Sequence, residues 1–240
     1  MHTPRIPYSD APDTRRFLLV SFWSLALIVA WDASGLDLAL ARLFGDANGF
    51  ALTHNWWLQH VLHSRARLVG WLVFAVLLAL VWWPIGPWRR LTRRERVGLV
   101  LGVALAALAV QLLKRGSQSS CPWDLMEFGG TARYVSHWQW GVRDGGGGHC
   151  FPAGHASTGF AYLGAWFWLR RAAPRAATAW LIGALLVGLG LGLVQQVRGA
   201  HYMSHTLWAA WLCWVVSGTV WWVQRRITHA TPKRAPAHAA

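Results

Sequence analysis

From Arg96 to Arg115 the chain reads RVGLVLGVALAALAVQLLKR. Its inner stretch, Val97–Leu113, carries a single polar side chain, Gln111. A helix of about 17–25 mostly apolar residues crosses the hydrocarbon core of a bilayer. The stretch therefore predicts a membrane span that ends on the Lys114-Arg115 pair. Working outward, similar runs occur at Phe17–Trp31, Leu68–Trp83, Ala156–Leu169, Ala176–Val194 and Thr206–Gln224. The shorter ones are extended by flanking tryptophans and small residues. The expectation is an all-α polytopic protein with six transmembrane helices in a bundle. Leu36–Phe44 is too short to span; followed by His54, Trp56 and Trp57, it reads as interfacial.

Composition agrees with a membrane protein. Of 240 residues, 55% are apolar and only 13% charged, against about 25% in a soluble domain. That argues against a disordered chain, a nucleic-acid-binding tail and an ordinary cytosolic enzyme. The net charge of +14 lies between the apolar runs, so the partner it suggests is the bilayer and not nucleic acid. With the N-terminus in the cytoplasm, fifteen of the 23 basic residues fall on the cytoplasmic side and eight on the other. The positive-inside bias then predicts both termini to be cytoplasmic. The first run follows Arg15-Arg16 but lacks a clear cleavage site, and it reads as an uncleaved anchor. The domain reading is a cytoplasmic tail over residues 1–16, one six-span domain over 17–224 and a second cytoplasmic tail over 225–240. The ends at Pro4–Pro12 and Pro232–Ala240 are polar and ragged. A long outer loop runs over about 114–152, with Gly145–Gly148 as a flexible connection within it.

Three sets of polar residues fall on the outer side under this topology. Lys114 and Arg115 close the third span, Pro152-Ala153-Gly154-His155 opens the fourth, and Arg198, His201 and His205 lie between the fifth and sixth. Ionisable groups at span ends are anchors or parts of a site, and three sets on one side favour a site. Their order and spacing resemble the phosphatidic acid phosphatase type 2 superfamily, with its patches K-x6-R-P, P-S-G-H and S-R-x5-H-x3-D. Here Lys114 is followed after six residues by Cys121-Pro122, and Pro152 to His155 matches the second patch. Arg198 to His205 covers the third. The chain departs from the pattern at Cys121, at Ala153, at Gln195 (six before His201) and at His205, where the family has aspartate.

The resemblance implies phosphate chemistry at a lipid phosphate or diphosphate, without a cofactor. His201 would attack phosphorus and form a phosphohistidine, while His155 would protonate the leaving alcohol oxygen. Imidazole suits both roles because it titrates near neutral pH. Phosphoryl transfer spreads negative charge over equatorial oxygens, so fixed cations and N–H donors are needed. Lys114 offers a point charge, and Arg198 or Arg115 a guanidinium in place of those missing from the pattern. Gly154 lets backbone approach phosphate closely, with helix N-terminal amides as donors. The acceptor that holds the nucleophilic ring is either His205 or Asp124. Paired histidines also suit a metal, but the neighbouring lysine and arginine favour an anion, so none is expected.

Cys121 and Cys150 both fall in the outer loop, each beside a patch. In an oxidising compartment they are expected to pair, with two free buried thiols as the alternative; Cys213 reads as a packing residue. His54, His60 and His63 read as headgroup contacts, and His137 and His149 as exposed loop residues. The whole reads as a lipid phosphate phosphatase of the bacterial inner membrane, with its site facing the periplasm. Phosphate transfer between lipids, a non-catalytic lipid transporter or scaffold, and a haem- or metal-binding redox protein are the alternatives. Neither the particular lipid nor the oligomeric state is encoded legibly.

Overall fold

The computed structural model describes residues 11–230. Apart from Ala11 and Pro12, the polar ends expected at residues 4–12 and 232–240 lie outside the described residues. The chain forms α1 (Ala11–Ala33), α2 (Leu36–Ala41), and a hairpin of β1 (Gly45–Asp46) and β2 (Gly49–Phe50). A π-helical stretch, Trp57–Arg65, runs directly into α3 (Ala66–Ala79). Then come α4 (Arg93–Gly116), α5 (Gly154–Phe160), a 3-10 turn (Ala161–Gly164), α6 (Ala165–Ala172), α7 (Pro174–Val197) and α8 (Met203–Ala230). Ala11 and Pro12 belong to α1, so the N-terminal tail expected over residues 1–16 is helical from Ala11 onward.

Among the described residues, four helices are long and apolar enough to cross a membrane: Asp13–Ala33, Arg93–Gly116, Pro174–Val197 and Met203–Thr228. The expected second span is the shorter apolar helix Ala66–Ala79. The expected fourth is helical from Gly154 to Ala172 but changes pitch at the 3-10 turn. Its glycines explain the break, since glycine costs about 1 kcal/mol in a helix interior. They also bring close packing, because a Cβ on Gly159 would overlap the backbone of Gly188 in α7.

Helix α4 starts on a capping box. The Thr92 hydroxyl accepts from the Glu95 N–H at 3.3 Å, and the Glu95 carboxylate accepts from the Thr92 N–H at 2.8 Å. Its buried face carries Gly98, Gly102, Ala106 and Val110, a four-residue spacing that forms one stripe. Small residues at this spacing let membrane helices approach closely. Gln224 of α8 lies over Gly98, and Trp168 and Ser217 lie over Gly102. By contrast α1 is mostly exposed; its anchor is Phe17, packed edge-on against Phe167 at 5.5 Å.

A second, smaller core caps one end of the bundle. Ala41, Phe50, Leu125, Phe128, Ala132 and Tyr202 form it, with the Phe50 and Phe128 rings 4.9 Å apart. Within the segment read as interfacial, Leu36–Phe44, Ala41 belongs to this core and Leu38 and Phe44 pack against it, while Leu36 and Leu43 are exposed. The loop expected to be flexible at Gly145–Gly148 is tied down as well. Asp144 accepts from the N–H groups of Ser120 (2.6 Å) and Gly146 (3.0 Å), and the Gly148 N–H donates to the Ser120 hydroxyl at 3.1 Å.

Candidate active site

The link between α7 and α8 is fixed at both ends. Helix α7 stops in a Schellman turn, in which Ala200 N–H donates to the Gln195 carbonyl (2.8 Å) and Gly199 N–H to that of Gln196 (2.9 Å). Gly199 has φ +75°, and the Phe50 ring occupies the space its Cβ would take, so only glycine serves. Helix α8 is capped from outside its own chain segment. Asp37 of α2 accepts from the Ser204 N–H at 3.0 Å and from the Ser204 hydroxyl, placing a negative charge on the helix N-terminus. Trp31 Nε1 donates to the same carboxylate at 2.8 Å.

His201 sits between these two stops, 4% exposed. Its Nδ1 is 3.5 Å from Cys150 Sγ, and the Cys150 backbone acts electrostatically on its ring and on that of His205. Burial first, and then the positive charges of Lys114, His205 and His155, push its pKa well below the ordinary imidazole value. The Cys150 backbone opposes that shift. At neutral pH the ring is therefore uncharged, the form that can act as a nucleophile.

The other two patches arrive from α4 and α5. The Lys114 side chain lies over Gly154, its Cδ 3.4 Å from where a Cβ would stand, alongside Gln111 Nε2 at 3.4 Å. His155 follows in the first turn of α5, half-buried and within electrostatic reach of His201. His205 lies in the first turn of α8, its ring 5.8 Å from that of His201, and its carbonyl accepts from the Ala153 N–H at 3.0 Å. A disulfide joins Cys121 to Cys150 with 5.2 Å between Cα atoms, fastening the loop after α4 to the strand of chain before α5. Cys213 is buried and free.

Three of the expected residues stand apart from the histidines. Arg115 is exposed. Asp124 accepts from the Cys121 N–H at 3.1 Å and closes its own 3-10 turn, with burial raising its pKa. Arg198 is buried, and its Nε and Nη2 donate to the Thr53 carbonyl at 3.2 and 3.1 Å. Its Nη1 donates to Gln195 Oε1 at 3.2 Å. The guanidinium thus stands beside the residue six before His201, although the arginine itself comes three residues later.

His137 was expected on the surface and is half-buried instead, its side chain 9% exposed. It stacks on Phe151 (4.2 Å, 5°), meets the His205 ring edge-on at 5.7 Å, and its Nε2 is 3.4 Å from the carboxylate of Asp32. Trp138 and Trp208 donate to Asp32, at 3.1 and 2.9 Å. A small polar hollow lined by Ser117, Ser119, His137, Gln139, Trp140 and Phe151 opens beside this group. Neither Asp32, Asp37 nor His137 was expected near the site. One signal existed: the chain holds nine acidic residues, and two of them follow the first apolar run. His149 is exposed, as expected, and His60 stacks on Trp56 at 5.3 Å. His54 is exposed, and the side chain of His63 lies outside the described residues.

With this geometry in view, the chain belongs to the PAP2 superfamily, whose family model matches residues 96–229. Members are phosphatases acting on phosphate esters, often those of lipids, and that is the class of protein the match defines. The matched region contains all three patches and all but the outermost residues of α4 to α8. No curated protein and no solved structure matches the chain.

Proposed function

We propose that the protein is an integral-membrane phosphatase that removes phosphate from a lipid phosphate or diphosphate through a phosphohistidine on His201. In this reading α3 and the α5–α6 run join the four long helices to make six crossings, with both termini in the cytoplasm. The site faces the periplasm from the bacterial inner membrane. The observation that carries the chemistry is the convergence on His201 of Lys114, His155 and His205, which come from three separate patches.

The uncharged His201 ring attacks phosphorus as the bond from phosphorus to the lipid oxygen breaks. His155 gives that oxygen its proton. Lys114 and the first-turn amides of Gly154 and His155, which have no acceptor within their own helix, face the equatorial oxygens. Water then attacks the phosphohistidine, with His155 taking its proton, and phosphate leaves. The acceptor that orients the His201 ring is the Cys150 backbone, fixed by the disulfide, in place of His205 or Asp124. Arg198 acts from its bonded position beside Gln195, and exposed Arg115 meets the headgroup at the rim.

The substrate classes this site suits are lipid A, undecaprenyl diphosphate, phosphatidate and phosphatidylglycerol phosphate. The test is phosphate release from a panel of these lipids by purified protein in detergent, with His201→Ala as control. Release by the wild type and none by the variant is expected. Equal release by both, or none from any lipid, contradicts the reading.

A further inference from the structure

The sulfur atoms of Cys121 and Cys150 and a ring nitrogen of His201 all lie within 4.8 Å of one another. In the disulfide form the sulfurs have no charge to offer, and the adjacent Lys114 makes this a place for an anion. Reduction changes the chemistry of the same three atoms. A phosphine and one water convert the disulfide to two thiols and leave a phosphine oxide, with no other group oxidised. Two thiols and an imidazole are the donor set that a borderline-soft divalent ion such as zinc takes in tetrahedral sites.

We propose that the reduced protein binds one zinc ion through Cys121, Cys150 and His201, so that the disulfide decides whether this pocket holds an anion or a cation. The spacing fits. With Zn–S of about 2.3 Å and Zn–N of about 2.0–2.1 Å, a tetrahedral site separates a sulfur from a nitrogen by roughly 3.5 Å and two sulfurs by roughly 3.8 Å. Cys150 Sγ and His201 Nδ1 already stand 3.5 Å apart. The two sulfurs must part, from bonding distance to about 3.8 Å. Cys121 begins a short turn and is half-buried, while Cys150 is fully buried and its N–H is held by the Ser119 carbonyl at 3.0 Å. Cys121 is therefore the sulfur that moves. On binding, each thiol releases its proton, and the two thiolates cancel the charge of the ion. That neutral unit tolerates Lys114, as a bare cation would not. The fourth position is left to water.

Metal binding does not depend on the phosphatase reading; the loss of activity that follows from occupying His201 does. The full-length protein in detergent is reduced with a phosphine, freed of it under inert gas and titrated with cobalt(II), which reports thiolate ligation and tetrahedral geometry by its absorption. Reduced wild type should take up one equivalent with a sulfur-to-cobalt band that zinc abolishes, and oxidised wild type should show none. Losing an outer-shell partner alone costs about 10–100-fold in metal affinity, so His201→Gln should weaken binding by at least about 10-fold. Cys121→Ser should remove most of the band. Chelation and reoxidation should return wild type to its starting circular dichroism, which excludes unfolding as the source of the thiols. The absence of a sulfur-to-cobalt band in reduced wild type overturns the proposal. So does an unchanged affinity in His201→Gln. Zinc inhibition of the reduced but not the oxidised enzyme is the expected consequence. Cobalt binding without any phosphatase activity would leave the metal site standing and overturn the proposed function instead.

Discussion

The region from α4 to α8 and the segment before it differ in what their buried faces contain. In α4 to α8, Gly159 lies against the Gly188 backbone, and Gly98, Gly102 and Gly188 make room for the side chains of Gln224, Trp168 and Phe160; every residue assigned a chemical step lies there. In α1 to α3 the helices are largely exposed; beside the apolar Phe17, Ile28, Ala41 and Leu77 they supply two carboxylates, Asp32 to Trp138 and Trp208, and Asp37 to Ser204. Between them, Phe50 fills the space over Gly199, and the Thr53 carbonyl holds Arg198. The family match begins at residue 96 and so leaves out each of these supports. Under the proposed function, chemistry falls to one region and positioning to the other. In the same reading the groups that stand in for the missing aspartate and arginine, the Cys150 backbone and Arg198, lie inside the matched region, and the Thr53 contact that holds Arg198 comes from outside it.

The contrast breaks most visibly if a residue of the chemical region proves dispensable. General acid catalysis contributes about 10²–10⁴-fold. His155→Ala should lose that much on lipid phosphate, whose alkoxide leaving group needs a proton, and far less on a nitrophenyl phosphate, whose leaving group does not. Steady-state rates on the two substrates check this. Equal losses on both would remove His155 from the acid role.

The disulfide belongs to the same region but acts on stability. It closes a loop of 29 residues, so in the chain-entropy model the Cys121→Ser/Cys150→Ser protein should be less stable by about 3–4 kcal/mol. Denaturant unfolding in detergent measures it. Loss of activity beyond the fraction unfolded would show that the Cys150 backbone also orients His201.

How much of this was legible in the sequence follows from the same physics. The long apolar runs and the three patches were readable because span length and short-range spacing are local properties. Four of the six expected runs appear as helices of spanning length, and Lys114, His155 and His201 do converge. Arg198 was legible as a cation but not as one already bonded to Thr53, because that contact joins residues 145 positions apart. Asp124 sat close to a patch in sequence, yet its shortest path to a donor was its own turn at Cys121. His137 read as surface because it lies in a polar loop; Phe151 and Asp32 that bury it come from other segments. Contacts of that kind leave no periodicity to read.

A smaller effect tests the positioning region. Asp37→Ala removes the acceptor at the start of α8, and cap losses typically cost about 0.5–2 kcal/mol. The expected signature is a lower unfolding midpoint together with a fall in kcat at nearly constant KM, since the substrate's own contacts remain. A change in KM alone would place Asp37 among the binding groups instead.

The finest distinction is in pH. His201 must be uncharged to attack, and burial with nearby positive charge holds its pKa well below the usual imidazole range. Activity requiring neutral His201 should therefore persist as pH falls through about 6.5 and decline only below it. Lys114→Met removes one of the charges responsible, so the acid limb of kcat/KM should move toward higher pH, even as the maximum rate falls. An acid limb that stays in place would mean that Lys114 does not act on His201.

The central claim is a covalent phosphohistidine on His201. Wild type and His155→Ala are mixed with a phosphate-labelled aryl substrate, quenched in base and mapped for acid-labile phosphate. The account predicts label on His201 in both proteins and none in His201→Ala, which should also be inactive on aryl and lipid phosphate alike. Label on His155, or turnover by wild type with no trappable label on any histidine, would contradict it.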